Sequence, residues 1–506
     1  MENLVAAVDC GTSAVKAGVL DLAGNVRGMG EQECPRRFQP DGGIRQDPQS
    51  VISAAFCCLR RAVEEAEIEP SQVAAVSVTN QRASLIPVDA AGEPAGGLIS
   101  WEDMRGAPLI EELRQRIDDS DYYQIAGVPN RPVFSLAKIL WVRRERPDLY
   151  ARTARFVLVH DYLLHALGGD RFVCDLSNAS LTGLLDVSEL DWSEEILGLV
   201  DLDREMLPEL VSPAEPVGEL SREAAAETGL MEGTPLVAGG GDQQCAGLGC
   251  GAVRPGVTEV TLGTAAAPLS CVQRPVLDPE MRLTCCVHAV PGLWEVEGLQ
   301  NCAGASLDWL QEIFDGQARF SHELLDEVSA LEPGADGVLF YPYLGGSSAP
   351  HWNPDATGMF LGLTLAHGRP HLVRATMEGV SLETREILDV FMMLDVPVSE
   401  VRLSGGGTHL EVWNQIQADI YGHPVSTLRN PHATMLGAGI LAAAGVGAFD
   451  SVPRASDAMV QVGRTYRPDR DRSNAYRRLY QSYRSIYRDF DNAQIFPEIC
   501  ALKPPR

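Results

Sequence analysis

The chain contains the same strand–turn–strand pattern twice, once at its N-terminus and once just past its middle. In the first copy, apolar residues 4–8 and 15–20 flank a polar turn at residues 9–13. In the second copy, residues 256–262 and 266–272 flank a Gly-Thr turn. Short apolar runs separated by such turns predict β-hairpins rather than strand-to-helix connections. No fixed sequence period links the two copies, so they are not a sequence repeat. We expect instead a structural echo, meaning a similarity of structure between two halves of the chain.

Helical segments alternate with these strands. Residues 49–66 carry an apolar stripe at helical spacing, and a strand-like run at residues 73–78 follows it. The alternation predicts an α/β fold. A chain of 506 residues is too long for a single core, so two large domains or three smaller ones are expected. Further helices are predicted at residues 135–146, 371–393, 410–421 and 434–444.

The charge balance limits the partners that the protein can have. A formal net charge of −28 argues against nucleic acid and anionic membranes as partners, because both select clustered cations. The twelve cysteines lack zinc-ligand spacing, and the N-terminus lacks the pattern of an export signal, so we expect a cytoplasmic protein with reduced thiols. The basic stretch at residues 464–488 is interpreted as a helix that packs on its own domain, with an interaction arm as the alternative.

The turn of the first hairpin has the chemistry of a phosphate site. Asp9 stands at the end of the first predicted strand and offers an oxygen ligand to hydrated Mg²⁺. Gly11, Thr12 and Ser13 offer backbone N–H groups and hydroxyls to a phosphate, and Lys16 adds a positive charge. The spacing of a P-loop is absent. Taken alone, the motif is equally compatible with an ordinary polar hairpin turn.

A second set of small residues in the other half has the same character. The tip of the second hairpin carries a glycine and a hydroxyl, and a triple glycine precedes a predicted helix near residue 410. Thr408 and Glu411 have the spacing of a capping box, which predicts that the glycines lead directly into the helix N-terminus, where the dipole favours phosphate. A purely structural turn is the alternative for each. The candidate residues are Gly263, Thr264, Gly405, Gly406 and Gly407.

A lone carboxylate follows three glycines near the middle of the chain. Gly239, Gly240 and Gly241 end an apolar run, and they let a ligand approach the backbone closely. Asp242 can accept a proton from a substrate hydroxyl, and the amide of Gln243 can orient that hydroxyl. The alternative for Asp242 is a helix N-cap. The order of three nucleotide-type turns, one base and a polar loop favours the catalytic interpretation.

This ordered set of motifs resembles the FGGY family of carbohydrate kinases over nearly the whole chain. Residues 9–13 are similar to the first phosphate motif of the family, residues 239–244 to its catalytic-base segment and residues 262–264 to its second phosphate motif. Residues 343–364 resemble the C-terminal signature. The triple glycine, together with residues 415–419, resembles the adenosine-binding segment.

The resemblance implies two actin-like, ribonuclease H-like ATPase domains around a central cleft. Residues 1–245 would form the sugar-binding domain and residues 246–506 the ATP-binding domain. Asp242 would be the general base, Asp9 would hold Mg²⁺, and the glycine and hydroxyl residues named above, with Lys16, would bind ATP. The implied partners are a small sugar or polyol and ATP, with neither nucleic acid nor membrane, and a homodimer is left open.

The substrate is less defined by the resemblance. Residues 79–82 and Trp101 resemble glycerol kinase, but Ala83 replaces its pocket Glu and Val133 stands where it carries a Tyr. These changes favour a pentulose or sugar alcohol over glycerol. A gluconate-type or signal-sugar kinase and a non-catalytic actin-like sugar or ATP sensor are the alternatives. The candidate substrate-binding residues are Gln81, Arg82, Trp101, Asp103 and Gln243.

Overall fold

The computed structural model describes residues 4–314 and 320–502. The described residues form two compact units. The first comprises the described residues up to Val253, together with Cys271–Glu295 and His432–Gln461. The second comprises Arg254–Ser270, the described part of Val296–Pro431 and the described residues from Val462 onward. Each unit therefore draws on segments that are far apart in the sequence.

The elements are numbered in chain order. The strands are β1 (Leu4–Cys10), β2 (Ala14–Asp21), β3 (Val26–Glu33), β4 (Arg37–Phe38), β5 (Ile44–Gln46), β6 (Val73–Asn80), β7 (Leu85–Val88), β8 (Leu98–Ile99), β9 (Arg155–Leu158), β10 (Val173–Asp175), β11 (Leu185–Asp186), β12 (Asp191–Trp192), β13 (Glu209–Val211), β14 (Pro216–Glu219), β15 (Pro235–Gly241), β16 (Gly256–Leu262), β17 (Ala266–Val272), β18 (Thr284–Val287), β19 (Trp294–Glu297), β20 (Leu339–Tyr341), β21 (Met359–Leu361), β22 (Val398–Ser404), β23 (Val425–Leu428) and β24 (Val462–Tyr466).

The helices follow the same scheme, with short 3₁₀ turns at Pro70–Gln72, Arg204–Met206, Ala335–Gly337 and Gly406–His409. They are α1 (Pro48–Ala66), α2 (Ala107–Leu113), α3 (Asp119–Ala126), α4 (Ser135–Glu145), α5 (Pro147–Arg152), α6 (Val159–Leu167), α7 (Leu176–Ala179), α8 (Glu194–Val200), α9 (Arg222–Thr228), α10 (Asp242–Gly249), α11 (Gly304–Phe314), α12 (His322–Ala330), α13 (Arg369–Met393), α14 (Glu411–Tyr421), α15 (Ala433–Gly445), α16 (Val452–Met459), α17 (Arg470–Asn492) and α18 (Ile495–Ala501).

Both predicted hairpins are present, and each unit uses its hairpin in the same way. In the first unit, β1 pairs antiparallel with β2 and parallel with β6, within a sheet of order β14-β15-β6-β1-β2-β3. In the second unit, β16 pairs antiparallel with β17 and parallel with β22, and β23 and β24 continue the sheet. The α/β prediction and the structural echo are therefore confirmed.

The main sheet of the first unit is buried on both faces because its strands alternate between two cores. On β1, Val8 packs in one core with helix α1, whereas Val5 and Ala7 pack in the other with α15. Helix α1 lies close to β3 because Gly28 leaves room: a Cβ there would lie 2.2 Å from the carbonyl oxygen of Ala62. Both faces of β1 are therefore covered by helices.

Helix α17 in the second unit confirms the prediction that the basic tail packs on its own domain. Its tyrosines at positions 476, 480, 483 and 487 are buried along one stripe. The hydroxyl of Tyr476 donates to Glu378 at 2.7 Å, and that of Tyr480 donates to Asp389 at 2.8 Å; both acceptors lie on α13. Across residues 4–314 and 320–502, no helix combines the length and apolar character needed to cross a membrane.

Candidate active site

Asp242 lies at the junction between strand β15 and helix α10. The strand ends at Gly241, which is the N-cap residue, so Asp242 is the first residue of the helix and the N-cap alternative is wrong. Its Oδ1 accepts a hydrogen bond of 2.8 Å from the backbone N–H of Gln243 and lies 2.9 Å from Nε of Arg82. The Asp242 side chain is 30% exposed, so a substrate can reach it.

The glycines before Asp242 make room for the protein's own atoms. A Cβ at Gly239 would lie 1.8 Å from the carbonyl oxygen of Val78 on the neighbouring strand. A Cβ at Gly241 would lie 2.4 Å from Oε1 of Gln244 and 2.7 Å from Cδ of Arg82. The sequence interpretation assigned this space to a ligand. In the structure, the first of these glycines serves strand packing, and the last lets Arg82 lie against the backbone beside Asp242.

Arg82 is oriented by a buried chain of polar groups. Its Nη1 donates to Oε1 of Gln244 at 3.4 Å, and Nε2 of Gln244 donates to Oε1 of Glu295 at 2.7 Å. Gln244 and Glu295 are fully buried. Sequence reasoning missed the contribution of both, although Gln244 lies within the motif that drew attention to Asp242. Ala83, the next residue after Arg82, has a φ of +58°, so the backbone turns sharply where the Arg82 side chain leaves it.

Asp9 is the last residue but one of β1 in the same unit, and its carboxylate experiences the charge of Asp242. Burial raises the pKa of Asp9 to about 7, and the negative charge of Asp242 adds to this increase. Lys16, which pairs with Asp9 in the β1–β2 register, acts in the opposite direction. Lys16 lies within strand β2 rather than at the hairpin tip, and its Nζ lies 3.3 Å from Oε1 of Glu31. Two neighbouring carboxylates of this kind suit a hydrated divalent cation, which favours oxygen ligands.

The hairpin tip contacts the predicted substrate loop directly. The indole Nε1–H of Trp101 donates to Oγ1 of Thr12 at 3.1 Å, and the side-chain amide of Gln46 donates to the Thr12 carbonyl at 3.1 Å. Ser13 is exposed, and Gly11 and Thr12 are partly exposed. The sequence interpretation assigned Thr12 and Trp101 to different ligands. The structure brings them together in one polar cluster.

Gln81 and Asp103 differ from the other candidate substrate-binding residues because each is only 2% exposed. The Gln81 amide donates to Gln46 at 2.9 Å and accepts from the Ser84 hydroxyl at 3.0 Å. The Asp103 carboxylate accepts from the backbone N–H of Ile44 at 3.1 Å and binds the guanidinium of Arg105. Arg82, Trp101 and Gln243, in contrast, are partly exposed. Gln81 and Asp103 are therefore placed to hold the surrounding loops.

A buried lysine holds the loop that contains Val133. The Nζ of Lys138 donates to the carbonyls of Pro132, Val133 and Phe134 at 3.2, 2.8 and 3.4 Å. Burial lowers the pKa of Lys138 to about 7, against the opposing effect of the Asp103 charge. Three carbonyl acceptors thus compensate for the burial of this amine and fix the backbone around Val133.

In the second unit, the structure brings the two glycine motifs into contact. Gly405 has a φ of +83°, and a Cβ there would lie 2.6 Å from the carbonyl oxygen of Leu262, the residue before Gly263. Thr264 and Gly406 are exposed, and a Cβ at Gly406 would meet nothing within 4 Å. The two turns therefore present bare backbone and one hydroxyl side by side.

The start of helix α14 differs from the prediction. The capping box is wrong, because the Thr408 hydroxyl donates to the Gly405 carbonyl at 2.8 Å and Leu410 is the N-cap residue. A 3₁₀ turn at Gly406–His409 separates the glycines from the helix. The left-handed conformation of Gly405 turns its carbonyl toward Thr408, so the hydroxyl bonds backward and not to the helix.

Comparisons with known proteins agree with this geometry. Residues 4–249 match the model of the FGGY family of carbohydrate kinases, N-terminal domain, and residues 256–446 match that of the C-terminal domain. The chain is 30% identical to a xylulose kinase of Bacillus subtilis over 96% of each chain. It is 29% identical to a gluconokinase of the same organism over 97% of each chain.

Two further similarities extend this result. A glycerol kinase of Thermococcus gammatolerans is 30% identical over 96% of this chain and 97% of its own length. The solved xylulose kinase of Lactobacillus acidophilus superimposes with a TM-score of 0.90 at 22% identity, covering 97% of this chain and 98% of that one. The fold is therefore the actin-like ATPase fold, as expected. The chain belongs to the FGGY family of carbohydrate kinases, which transfer a phosphoryl group from ATP to an alcohol group of a sugar or polyol.

Proposed function

We propose that this kinase phosphorylates a primary hydroxyl of a small ketose or polyol, with Asp242 as the general base. The observation that carries this proposal is the position of Asp242: a partly exposed carboxylate at a strand end, fixed by Arg82 and by the N–H of Gln243. A general base must lie within hydrogen-bond reach of the proton that it removes, in a fixed direction. Asp242 takes the hydroxyl proton while that oxygen bonds to the γ-phosphorus and the bond to the departing ADP oxygen breaks.

The sugar is proposed to bind to the first unit, in the part of the chain before residue 246. Arg82 donates to substrate hydroxyls while it holds Asp242, Trp101 forms one wall, and Gln243 orients the reacting hydroxyl. Gln81 and Asp103 hold the loops that carry these residues, since their polar atoms are bonded within the protein. Enzymes of this type depend on positioning and charge stabilisation more than on covalent chemistry.

ATP is proposed to bind mainly to the second unit, in the part of the chain after residue 245. Exposed backbone at Gly406 offers a surface for the nucleotide, and Thr264 offers a hydroxyl to a phosphate. The remaining candidates are the turn residues Gly263, Gly405 and Gly407 in this unit, and Gly11, Thr12, Ser13 and Lys16 in the first unit. Asp9 is proposed to hold Mg²⁺, which, when bound, neutralises charge on the phosphates. The carboxyl chemistry around Asp9 fits such an ion.

A pentulose or a four- to five-carbon sugar alcohol is the preferred substrate. Ala83 and Val133 remove one hydrogen-bond acceptor and one aromatic wall relative to the glycerol kinase pattern, which weakens recognition of a three-carbon triol and leaves room for a longer substrate. A gluconate-type sugar is the second candidate, because the relatives include both a xylulose kinase and a gluconokinase at nearly equal identity. We further propose that the enzyme is cytoplasmic.

The test is an ADP-release screen over ketoses, sugar alcohols and aldonates, run on wild type and Asp242→Asn. The substitution should lower kcat by about 10²- to 10⁴-fold, the range for general-base catalysis. Asp170→Asn is the matched control, because Asp170 is an exposed carboxylate of the same unit. Sugar-independent ATP turnover that Asp242→Asn leaves unchanged would refute the kinase mechanism.

A further inference from the structure

The strand that leads to Asp242 has an irregular ladder, and two of its backbone amides bond to buried side chains. The parallel pairing of β15 with β6 shifts register between Val237 and Gly240. The N–H of Gly239 donates to Nε2 of His160 at 3.1 Å. The N–H of Gly241 donates to Oγ of Ser177 at 3.0 Å. These two side chains therefore hold the strand end in addition to its pairing with β6 at Gly240 and Gly241.

The hydrogen bond from Gly239 defines the tautomer of His160. Since Nε2 accepts a hydrogen bond from the backbone N–H of Gly239, Nδ1 carries the ring hydrogen. The Nδ1 lies 3.1 Å from Oδ1 of Asp161 and 3.7 Å from Oδ2 of Asp175. His160 and both carboxylates are fully buried. Asp161 thus holds the ring at Nδ1, and the lone pair of Nε2 points at the backbone of β15.

The amide of Gly241 is held through Asp175, the second of the two carboxylates near His160. Oδ1 of Asp175 accepts a hydrogen bond from the Ser177 hydroxyl, and it accepts from the Ser177 backbone N–H at 2.9 Å. Because the hydroxyl hydrogen is used by Asp175, the hydroxyl oxygen is oriented to accept from Gly241. Asp175 ends β10 and caps the short helix α7, which gives this arrangement a rigid base.

We propose that His160, Asp161, Asp175 and Ser177 form a glycine-strand anchor that positions Asp242 for catalysis. The anchor holds the amides of Gly239 and Gly241, and the second of these is the residue immediately before Asp242. The direction in which the helix and the carboxylate leave the strand is therefore set by buried side chains. These are positioning residues, since none of them touches Asp242 through the bonds described. The inference rests on the proposed role of Asp242 as general base.

The size of the effect follows from how strictly proton transfer depends on geometry. A displacement of about 1 Å in a reacting group can cost about 10²-fold in rate. A buried N–H that loses its acceptor also tends to shift until it finds another partner. Loss of one anchor bond is thus expected to lower kcat by about 10-fold or more while leaving KM for the sugar and for ATP within about 2-fold.

His160→Asn and His160→Gln form a matched pair for the test. Asparagine can reproduce the donor to Asp161 but has no atom where Nε2 stood, whereas the longer glutamine side chain can place an oxygen there. We expect a loss of kcat in His160→Asn and recovery to within about 3-fold of wild type in His160→Gln. Ser177→Ala removes the other acceptor and should give the same loss of kcat.

Amide hydrogen exchange in peptides that cover residues 236–243 provides a readout independent of turnover. Exchange should be faster in His160→Asn and Ser177→Ala than in wild type, and close to wild type in His160→Gln. An active wild type whose kcat and local exchange are unchanged in both His160→Asn and Ser177→Ala would overturn the anchor. Absence of sugar-dependent turnover in the wild type would refute the proposed function instead, and the exchange result would still test the anchor.

Discussion

Arg82 and Asp242 form an ion pair with 2.9 Å between Nε and Oδ1, although they are far apart in the sequence. The Arg82 side chain is 14% exposed, and its Nη1 also reaches Gln244. A guanidinium can hold both partners at once because its donors form a planar fork, which an ammonium lacks. The proposed base is therefore positioned by a residue that sequence reasoning had assigned to the substrate.

Arg82→Lys and Arg82→Met should separate charge from geometry. We expect kcat to fall about 10-fold in the lysine variant and about 10²-fold in the methionine variant, because the carboxylate loses its fixed direction. The free energy of unfolding should change by about 1 kcal/mol or less, since partly exposed ion pairs contribute little to stability. Arg27→Met, which removes a surface partner of Asp21 at 3.8 Å, is the control and should leave kcat unchanged. Equal kcat in wild type and Arg82→Met would contradict the prediction.

Thr12 and Trp101 should behave as a coupled pair. Thr12→Val and Trp101→Phe each break the same 3.1 Å hydrogen bond, so their effects on kcat/KM for the sugar should not add. The coupling energy should be about 0.5–1.5 kcal/mol, as for a typical intramolecular hydrogen bond. Trp192→Phe is a matched control, because the Trp192 indole donates to the Pro208 carbonyl, and its effect should add to that of Thr12→Val. Additive effects of the Thr12 and Trp101 changes would show that the bond is not used.

Gly406→Ala should weaken ATP binding without weakening the fold. A methyl group at this exposed position meets no protein atom, so it should only obstruct a ligand that lies on the backbone. We expect KM for ATP to rise about 5-fold or more, equivalent to about 1 kcal/mol of steric conflict, with KM for the sugar unchanged. Gly405→Ala should instead lower the melting temperature, because its φ of +83° and the nearby Leu262 carbonyl disfavour a side chain. An unchanged KM for ATP in Gly406→Ala would argue against nucleotide contact here.

Lys138 should make stability depend on pH above neutrality. Its pKa falls from an ordinary 10.5 to about 7 because the amine is buried. Between these two values the unfolded chain binds more protons than the folded protein, so the free energy of unfolding should rise with pH, by at most about 1.4 kcal/mol per pH unit. Lys138→Met removes the titrating group and this rise with it. Urea unfolding of both proteins from pH 7 to pH 10 measures the difference, and identical pH profiles would contradict the prediction.

Much of the fold could be predicted because its signals are local. The hairpin near the start of each unit follows from apolar runs around a polar turn. Helices such as α13 and α15 follow from periodicity within one segment. The position of Asp242 at a strand end follows in the same way from the glycines before it. These features depend on neighbours a few residues apart, which a single sequence displays directly.

The partners in the site could not be predicted because they depend on strand register. Arg82 faces Asp242 only because β6 and β15 end at the same edge of the sheet, and the ladder between them contains a register shift. Gln81 and Asp103 lie close in sequence to the partly exposed candidates Arg82 and Trp101, yet their own side chains are buried. The capping box failed for a local reason, since the Thr408 hydroxyl donates to the nearby Gly405 carbonyl and does not accept a hydrogen bond from a helix amide.

Helix α15 covers one face of the first unit's main sheet, and this has a consequence for how the protein is made. Met435, Ile440 and Leu441 pack in the same core as Val5 and Leu20, which leave the ribosome more than four hundred residues earlier. Until α15 is translated, that apolar face lacks its native cover. We therefore expect an isolated fragment of residues 1–253 to aggregate, and nascent chains of intermediate length to depend on chaperones.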